Sequence, residues 1–431
     1  MGLLLLLGIF ALCVTIGVPV AFGLAIAAIA TFAYEGLPLL IGFKRIVSGI
    51  SVFSLLAIPF FIFAGELMLR GGIATRLINL AAAAVGWMRG GLGVVNVASS
   101  MLFGGISGSA VADVSALGSL LIPVMKRKGF GADYAVNVTV TSSIAGIVIP
   151  PSHNMILYVV AAGGGISVER MFLAGFLPGF IMCLCLAVAA YWVAARRNYP
   201  KETFPGFTAL LATAIAAVPG LFTAVIIVGG ALSGVFTVTE SGAFGVIYAL
   251  LITVLAYRSL SFKDFCAAVG QSVRTTAMVM ILVGSATAFA YLLALYRVPD
   301  QLTSMLLYIS DNPIIILIIL NVMLLVLGMI MDMAALILIC TPIFLPVVTS
   351  FGMDPVQFGI ILMMNLGLGL CTPPVGACLF VGCAIGNVPI DKAVRTIWPF
   401  YLAILVALAI VTFIPEASLA LPDWWARTVD Q

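Results

Sequence analysis

Histidine and charged residues are scarce in this chain. His153 is the one histidine among 431 residues, and Asp, Glu, Lys and Arg together make up 8%. A single histidine excludes a histidine-ligated metal centre, and the eight cysteines lie mostly in apolar runs without metal-ligand spacing. With 63% hydrophobic residues, a water-soluble domain could not cover its surface. The composition predicts an all-α polytopic membrane protein in a lipid bilayer, and the net charge of +3 gives no indication of nucleic-acid binding.

The apolar run at the N-terminus, Met1 to Ala33, exceeds the apolar core of a signal peptide, which is about 7–15 residues. We interpret it as a retained first span, bent near Gly17 and Pro19. If the N-terminus is cytoplasmic and the spans alternate, fourteen Lys and Arg residues are cytoplasmic and five lie outside. The five outer residues are Lys44, Arg45, Arg170, Arg297 and Arg427. This bias favours a cytoplasmic N-terminus and an outer C-terminus.

Two segments, 105–151 and 328–374, share a pattern of glycine and proline at an offset of 223 residues. The matched pairs are Gly105 and Gly328, Pro123 and Pro346, Gly129 and Gly352, Gly146 and Gly369, Pro150 and Pro373, and Pro151 and Pro374. Paired interrupted hydrophobic segments in two halves of a membrane protein point to a transport site. The pattern predicts two repeats, 1–200 and 201–431.

Each repeat is predicted to contain scaffold helices, a re-entrant helical hairpin and a broken helix. In the first repeat the hairpin covers about 92–128 and the broken helix about 133–161. In the second they cover about 313–350 and 355–386, followed by a final span at 397–414. With the topology above, the first hairpin enters from the cytoplasm and the second from outside, so the repeats are inverted.

The residues expected to bind ions and substrate lie in the hairpin tips and the helix breaks. In the first repeat the tip is 103–109, rich in Gly and Ser, and it faces the break at 142–151, which ends in Pro150 and Pro151. Proline and glycine free backbone groups that the interior of a bilayer cannot satisfy. Freed carbonyls and hydroxyls suit a small cation, while helix N-termini present N–H groups to an anion. A sodium ion beside a carboxylate substrate fits both halves of this arrangement.

The second repeat has its tip at 328–333 and its break at 366–376, where Thr372 adds a hydroxyl. Asp332 and Asp113 are ionisable groups at membrane depth, which favours a functional role, and the alternative is that each caps a helix at a hairpin turn. The substrate pocket is expected between tips and breaks. Its candidate residues are Ser109, Asp113, Ser152, His153, Asn154, Asp332 and Asn365.

In these tips and breaks, Gly-Gly-Ile-Ser-Gly-Ser-Ala, Ile-Pro-Pro-Ser and Thr-Pro-Pro-Val-Gly, the chain resembles the large membrane subunit of a tripartite ATP-independent periplasmic (TRAP) transporter. The resemblance covers essentially the whole chain. It implies an elevator-type secondary transporter of the bacterial inner membrane, driven by sodium, which imports a small organic acid. It also implies two partners, a periplasmic substrate-binding protein and a small four-helix membrane subunit. The C-terminus would then be periplasmic.

The resemblance further implies about two sodium sites and no organic cofactor. The first site would use Gly104, Ser107, Gly146, Ile149 and Pro151. Relatives often carry serine where this chain has Gly104, so that ligand would come from the backbone or be lost. The second would use Gly328, Gly369, Thr372 and Val375.

Two other functions fit parts of the sequence. Gly105 to Gly108 matches the Gly-x-Ser-Gly pattern of intramembrane serine proteases, with Ser107 and His153 as a dyad. The repeat argues against this, because Ser107 corresponds to Ile330 and His153 to Gly376. The other alternative is a proton- or sodium-coupled anion carrier of related fold that works without a binding protein.

Overall fold

A computed structural model describes residues 1–310 and 312–429. The described residues form helices α1 to α22. The first eleven are α1 (Gly2–Thr15), α2 (Val20–Tyr34), α3 (Leu39–Ile50), α4 (Ala57–Arg70), α5 (Ile73–Val85), α6 (Gly91–Ser107), α7 (Ala110–Arg127), α8 (Ala132–Ser142), α9 (Ala145–Val148), α10 (His153–Ala161) and α11 (Val168–Arg196). The others are α12 (Phe207–Leu232), α13 (Val238–Leu251), α14 (Phe262–Leu295), α15 (Val298–Ile309), α16 (Pro313–Gly328), α17 (Met333–Ser350), α18 (Pro355–Leu370), α19 (Ala377–Gly386), α20 (Ile390–Thr396), α21 (Trp398–Phe413) and α22 (Glu416–Val429).

The length and the apolar composition of these helices indicate that the chain is a multi-pass membrane protein. Within the described residues, six helices are long and apolar enough to cross a bilayer, and nine spans result if each bent helix pair counts as one. A 3₁₀ turn at Phe53–Leu56 precedes α4, and a π-helical turn at Ile252–Ala256 follows α13.

The first apolar run folds as a helical hairpin. α1 and α2 are joined through Gly17, whose φ is +83°, and Gly23 of α2 packs against Cys13 and Phe10 of α1. The prediction of one bent span over this run is therefore wrong. Glycine in a left-handed conformation followed by Pro19 reverses the chain, because neither residue continues a helix there.

This hairpin returns the chain to the end of the molecule where it began. The Tyr296 hydroxyl donates to Glu35 Oε1 at 2.9 Å, and Gly2 lies directly against both side chains. Arg297, predicted to lie outside, follows Tyr296. A cytoplasmic N-terminus and an outer Arg297 therefore exclude each other, and which of the two predictions holds is a question of orientation in the membrane.

Cysteine labelling tests whether the N-terminus and Arg297 lie on the same side of the membrane. In a Cys266→Ser background, we expect a cysteine added before Met1 and one at Arg297→Cys to react with a membrane-impermeant maleimide from the same side. Arg258→Cys should react from the opposite side, because the 34-residue helix α14 separates the two ends by about 50 Å. Labelling of the first two positions from opposite sides would restore the single bent span.

Two helical hairpins, α6–α7 and α16–α17, each precede an interrupted helix. The first interruption lies between α9 and α10, at Ile149 to Ser152, and the second between α18 and α19, at Cys371 to Gly376. The first and last residues of α17 lie 223 residues after the first and last residues of α7. Helix α18 likewise begins 223 residues after α8. Both Pro-Pro peptide bonds, at Pro150 and at Pro373, are cis.

The bases of the two hairpins contact opposite ends of α11. At its C-terminal end, Arg197 Nη1 lies 2.8 Å from Asp133 Oδ2, next to the base of the first hairpin. At its N-terminal end, Arg170 Nη2 lies 3.1 Å from Asp354 Oδ2, next to the base of the second hairpin. Arg170 also lies 3.5 Å from Asp423 of α22, so the C-terminal helix is at this second end.

The interrupted helices are the innermost parts of the fold. In α18 every residue from Val356 to Leu370 is buried, and in α8 every residue from Asp133 to Ser142. Backbone that leaves helical geometry at membrane depth must be surrounded by protein or line a cavity. The first break is buried from Ile149 to Ser152, as this requires, whereas the second break exposes Pro374 and Val375 at its outer side.

Candidate functional site

The tip of the first hairpin brings a carboxylate against a hydroxyl. Helix α6 ends at Ser107, Gly108 turns the chain with φ +63°, and Ser109 caps α7 by accepting from the amide of Ala112. The Ser107 hydroxyl donates to Asp113 Oδ1. The other oxygen, Asp113 Oδ2, is buried without a hydrogen-bond partner within the described residues. A buried carboxylate with a free oxygen is costly unless a cation or a proton neutralises it.

The free oxygen of Asp113 points at the broken helix. A Cβ added to Gly146 would lie 2.6 Å from Asp113 Oδ2 and 3.2 Å from Ser107 Oγ. A Cβ at Gly104 would lie 2.8 Å from the Cα of Gly146. The two glycines therefore let α6 and α9 cross with backbone against backbone, and a side chain at either position would separate them. This close approach also gives a steric reason for glycine rather than serine at Gly104.

Beyond this crossing the backbone is extended at Ile149, with φ −85° and ψ +125°, and enters Pro150 and Pro151. Gly105 lies against the Pro150 carbonyl, and Gly108 lies near the Pro151 carbonyl. The Asn154 side chain connects α10 to the hairpin tip, because its Nδ2 donates to the Gly108 carbonyl at 3.3 Å. The break thus places main-chain oxygens beside the hairpin tip.

The second hairpin crosses its broken helix in the same manner. Gly328 lies against Gly369, since a Cβ at Gly328 would lie 3.3 Å from the Cα of Gly369. The amide of Val375 donates to the Met329 carbonyl at 3.1 Å, which ties the break to the tip. The Thr372 hydroxyl donates to the Leu368 carbonyl at 2.7 Å. The Thr372 hydroxyl oxygen therefore lies at the break, and its lone pairs remain available to a ligand.

A cavity of about 280 Å³ lies between the two tips. Four residues predicted for the substrate pocket line it, namely Ser109, His153, Asn154 and Asp332. Three helices begin at its wall: α7 at Ala110, α10 at His153 and α17 at Met333. Asp332 also caps α17, because its Oδ2 accepts from the Ala334 amide at 3.0 Å. Asp332 is therefore a helix cap that also lines the cavity, and a functional role for it stays a prediction.

Three residues predicted for the substrate pocket lie elsewhere. Asp113 is buried at the first crossing with Ser107 and Gly146. Ser152 is fully buried and lies outside the cavity wall. Asn365 faces the second hairpin, where its Nδ2 donates to Asn321 Oδ1 at 2.5 Å. Asn365 lies within α18, before the break, and its assignment to the substrate pocket stays a prediction.

Helix α14 contributes a wall that was not predicted from the sequence. A second cavity of about 340 Å³ shares Ser109, His153 and Thr275 with the first. It extends to Gln271 on α14 and to Glu66 on α4, and Glu66 is paired with Arg70 at 3.2 Å. Gln271 and Thr275 are four residues apart in α14, so they share one face of that helix. That spacing was the available signal for this wall.

The geometry also bears on the predicted Ser107–His153 dyad. The Ser107 hydroxyl donates to Asp113 and accepts from the Ser109 amide at 3.4 Å. A nucleophilic serine needs its hydroxyl proton directed at the base. Here the proton is directed at a buried carboxylate, so the arrangement does not support proteolysis.

Comparisons with known proteins agree with this geometry. The family model described as "Tripartite ATP-independent periplasmic transporter, DctM component" matches residues 7–417. The 2,3-diketo-L-gulonate TRAP transporter large permease protein YiaN of Escherichia coli is 35% identical over 99% of this chain and 100% of its own length. The sialic acid TRAP transporter large permease protein SiaM of Vibrio cholerae is 36% identical over 94% of this chain and 95% of its own. The C4-dicarboxylate TRAP transporter large permease protein DctM of Pseudomonas aeruginosa is 39% identical over 86% of this chain and 87% of its own.

The fold has a more distant counterpart among solved structures. The YdaH transporter of Alcanivorax borkumensis superimposes with a TM-score of 0.64 at 13% identity, covering 90% of this chain and 88% of that one. The near full-length matches to permeases also identify the chain as a secondary transporter rather than an enzyme. The paired hairpins, the two breaks and the full-length family match together mean that this chain belongs to the family of TRAP transporter large membrane subunits, the DctM component.

Proposed function

We propose that the chain imports a small organic acid across the bacterial inner membrane in symport with sodium, by an elevator motion of the two hairpins and two broken helices. A periplasmic binding protein delivers the acid, and a small four-helix membrane subunit packs against the stationary helices. The single observation that carries the proposal is the cavity between the hairpin tips, with a buried carboxylate at the crossing beside it.

The cavity suits an anion because three helix N-termini converge on it. The first-turn amides of α7, α10 and α17 carry the positive ends of helix dipoles. Ser109, His153 and Asn154 add hydroxyl, imidazole and amide groups that fix the orientation of a carboxylate. The relatives named for diketogulonate, sialic acid and C4-dicarboxylates all carry acidic substrates, which supports the same chemical class here.

The first crossing suits a small cation. Asp113 Oδ2 is buried and without a partner within the described residues, the Ser107 hydroxyl oxygen lies beside it, and the carbonyls of Pro150 and Pro151 are close to the tip. Hard oxygen ligands of this kind are those that alkali and alkaline-earth cations prefer. At the second crossing, carbonyls around Gly328 and Gly369 and the Thr372 hydroxyl offer a second, uncharged set.

The elevator motion is supported by the placement of the hairpins. Their bases contact opposite ends of α11, as inverted repeats require, while their tips meet at one cavity. The second cavity, between the first tip and helices α4 and α14, separates the hairpins from these spanning helices on one side. Sodium bound at the crossings would order tip and break, so that the anion site is complete when the ion is present.

Uptake into proteoliposomes tests the proposal. With both membrane subunits and the binding protein present, we expect uptake of the acid held by that binding protein to require an inward sodium gradient. It should fall at least about 100-fold when potassium replaces sodium at constant pH. Uptake that continues in potassium and follows a pH gradient would instead favour the proton-coupled carrier, for which Asp113 would bind the proton. Full uptake without the binding protein would remove that partner from the proposal.

A further inference from the structure

An apolar groove runs along the outer face of α11 and α21, away from the transport cavity. It has a volume of about 700 Å³, within the range of about 300–1,000 Å³ typical of small-molecule sites. Its walls are Leu184, Val188 and Trp192 on α11 and Trp398, Leu402 and Val406 on α21. These side chains are exposed in this chain, with Leu402 at 63% and Val188 at 62%.

Small residues on both helices create the groove. Ala189 of α11 and Ala403 of α21 form part of its floor, where larger side chains would fill the space. The two helices run antiparallel, so Trp192 and Trp398 lie at one end and Leu184 and Val406 at the other. Eight helical residues separate Trp192 from Leu184, which gives the groove a length of about 12 Å.

The tryptophan end of the groove is positively charged. The Arg196 guanidinium lies 4.1 Å above the centre of the Trp192 ring, and Arg395 precedes Trp398 by three residues. Both arginines are exposed, and within the described residues neither is in an ion pair, whereas Arg197 is paired with Asp133 at 2.8 Å. Lys392 and Asp391 on α20 are also exposed there and offset each other.

This pattern matches a phospholipid rather than a protein helix. Tryptophan and arginine at one end are typical of the headgroup level of a bilayer, and the apolar length below them suits a fatty-acyl chain. An apolar partner helix would cover these walls but would bring no anionic group to the two arginines. We infer that this groove binds one anionic phospholipid, with an acyl chain between α11 and α21 and its phosphate at Arg196 and Arg395. The inference is independent of sodium coupling.

Native mass spectrometry of the detergent-purified protein with dioleoyl-phosphatidylglycerol or dioleoyl-phosphatidylcholine tests this site. We expect one saturable phosphatidylglycerol molecule, bound about 30-fold tighter than phosphatidylcholine, because each of two basic residues near a lipid surface contributes about fivefold. The double variant Arg196→Gln with Arg395→Gln should keep an acyl-chain site and bind both lipids equally.

A second variant tests the apolar part. Ala403→Phe fills the groove and should reduce phosphatidylglycerol binding at least about tenfold, whereas the control Ala212→Phe, on the exposed face of α12, should leave it unchanged. Equal binding of the two lipids by the unmodified protein, or unchanged binding in the arginine double variant, would overturn the inference. Capture of a membrane protein at this groove by cross-linking would overturn it as well. The arginine variant keeps the test decisive even if Ala403→Phe does not fold.

Discussion

Asp113→Asn is expected to weaken the response to sodium while making the sodium-free protein more stable. The substitution keeps the shape of the side chain and its contact with Ser107 but removes the charge. A charge-assisted contact contributes about 1.5–3 kcal/mol, so the affinity for sodium should fall about 10- to 100-fold. Without sodium, the buried unpartnered oxygen of Asp113 costs free energy, and the amide relieves that cost.

Thermal unfolding of the purified protein in sodium and in potassium measures both effects without knowledge of the substrate. The unmodified protein should melt higher in sodium than in potassium. In Asp113→Asn this difference should be smaller, and the melting temperature in potassium should be above that of the unmodified protein. The opposite sign in potassium, a lower melting temperature for the variant, would indicate that Asp113 is structural and that the cation site is misplaced.

Asp354→Asn is the matched control for this experiment. Asp354 caps α18 by accepting from the Val356 amide at 2.7 Å, and asparagine caps a helix about equally well. Its ion pair with Arg170 is partly exposed and contributes little. The control should therefore keep the sodium-dependent rise in melting temperature. If it loses that rise, the effect of Asp113→Asn is not specific to the first crossing.

The sequence predicted the hairpins and breaks because their signals are local. Proline and glycine act on the backbone wherever they stand, and here they stand at the same positions in two copies. The end of α6 at Ser107 and the break at Thr372 follow from this chemistry. The hairpin of α1 and α2 left no such duplicate signal, and without a charge between its arms it resembled one long span.

Side-chain partners across the fold were less accessible to prediction. Asp113 and Asn365 both lie near a tip or a break, yet one faces a helix crossing and the other faces Asn321. The direction in which a side chain points depends on the rotation of its helix about the helix axis. Packing determines that rotation, and the spacing of residues in the sequence does not. The α14 wall with Thr275 was missed because α14 has no hairpin or break to mark it.

Gly369→Ala is expected to reduce uptake below about a tenth of the unmodified rate, although alanine is the better helix former. An added Cβ at Gly369 would lie 2.6 Å from the Cα of Gly328, closer than packed atoms allow. Overpacking of this kind costs about 1–3 kcal/mol. The added Cβ would push the second hairpin tip and the second break apart. The protein should still insert and be detected in the membrane at normal levels, since the rest of α18 is unaffected.

Gly270→Ala provides the matched comparison, because a Cβ there meets nothing within 4 Å. In helix α14 that substitution should be neutral or stabilising by about 0.5–1 kcal/mol, the usual preference for alanine over glycine in a helix. The contrast separates two reasons for a glycine inside a membrane helix. At Gly270 the helix tolerates it, whereas at Gly369 the crossing of two backbones requires it. If both variants transport at the unmodified rate, the second tip and break need not be in contact during transport, and the proposed second cation site loses its support.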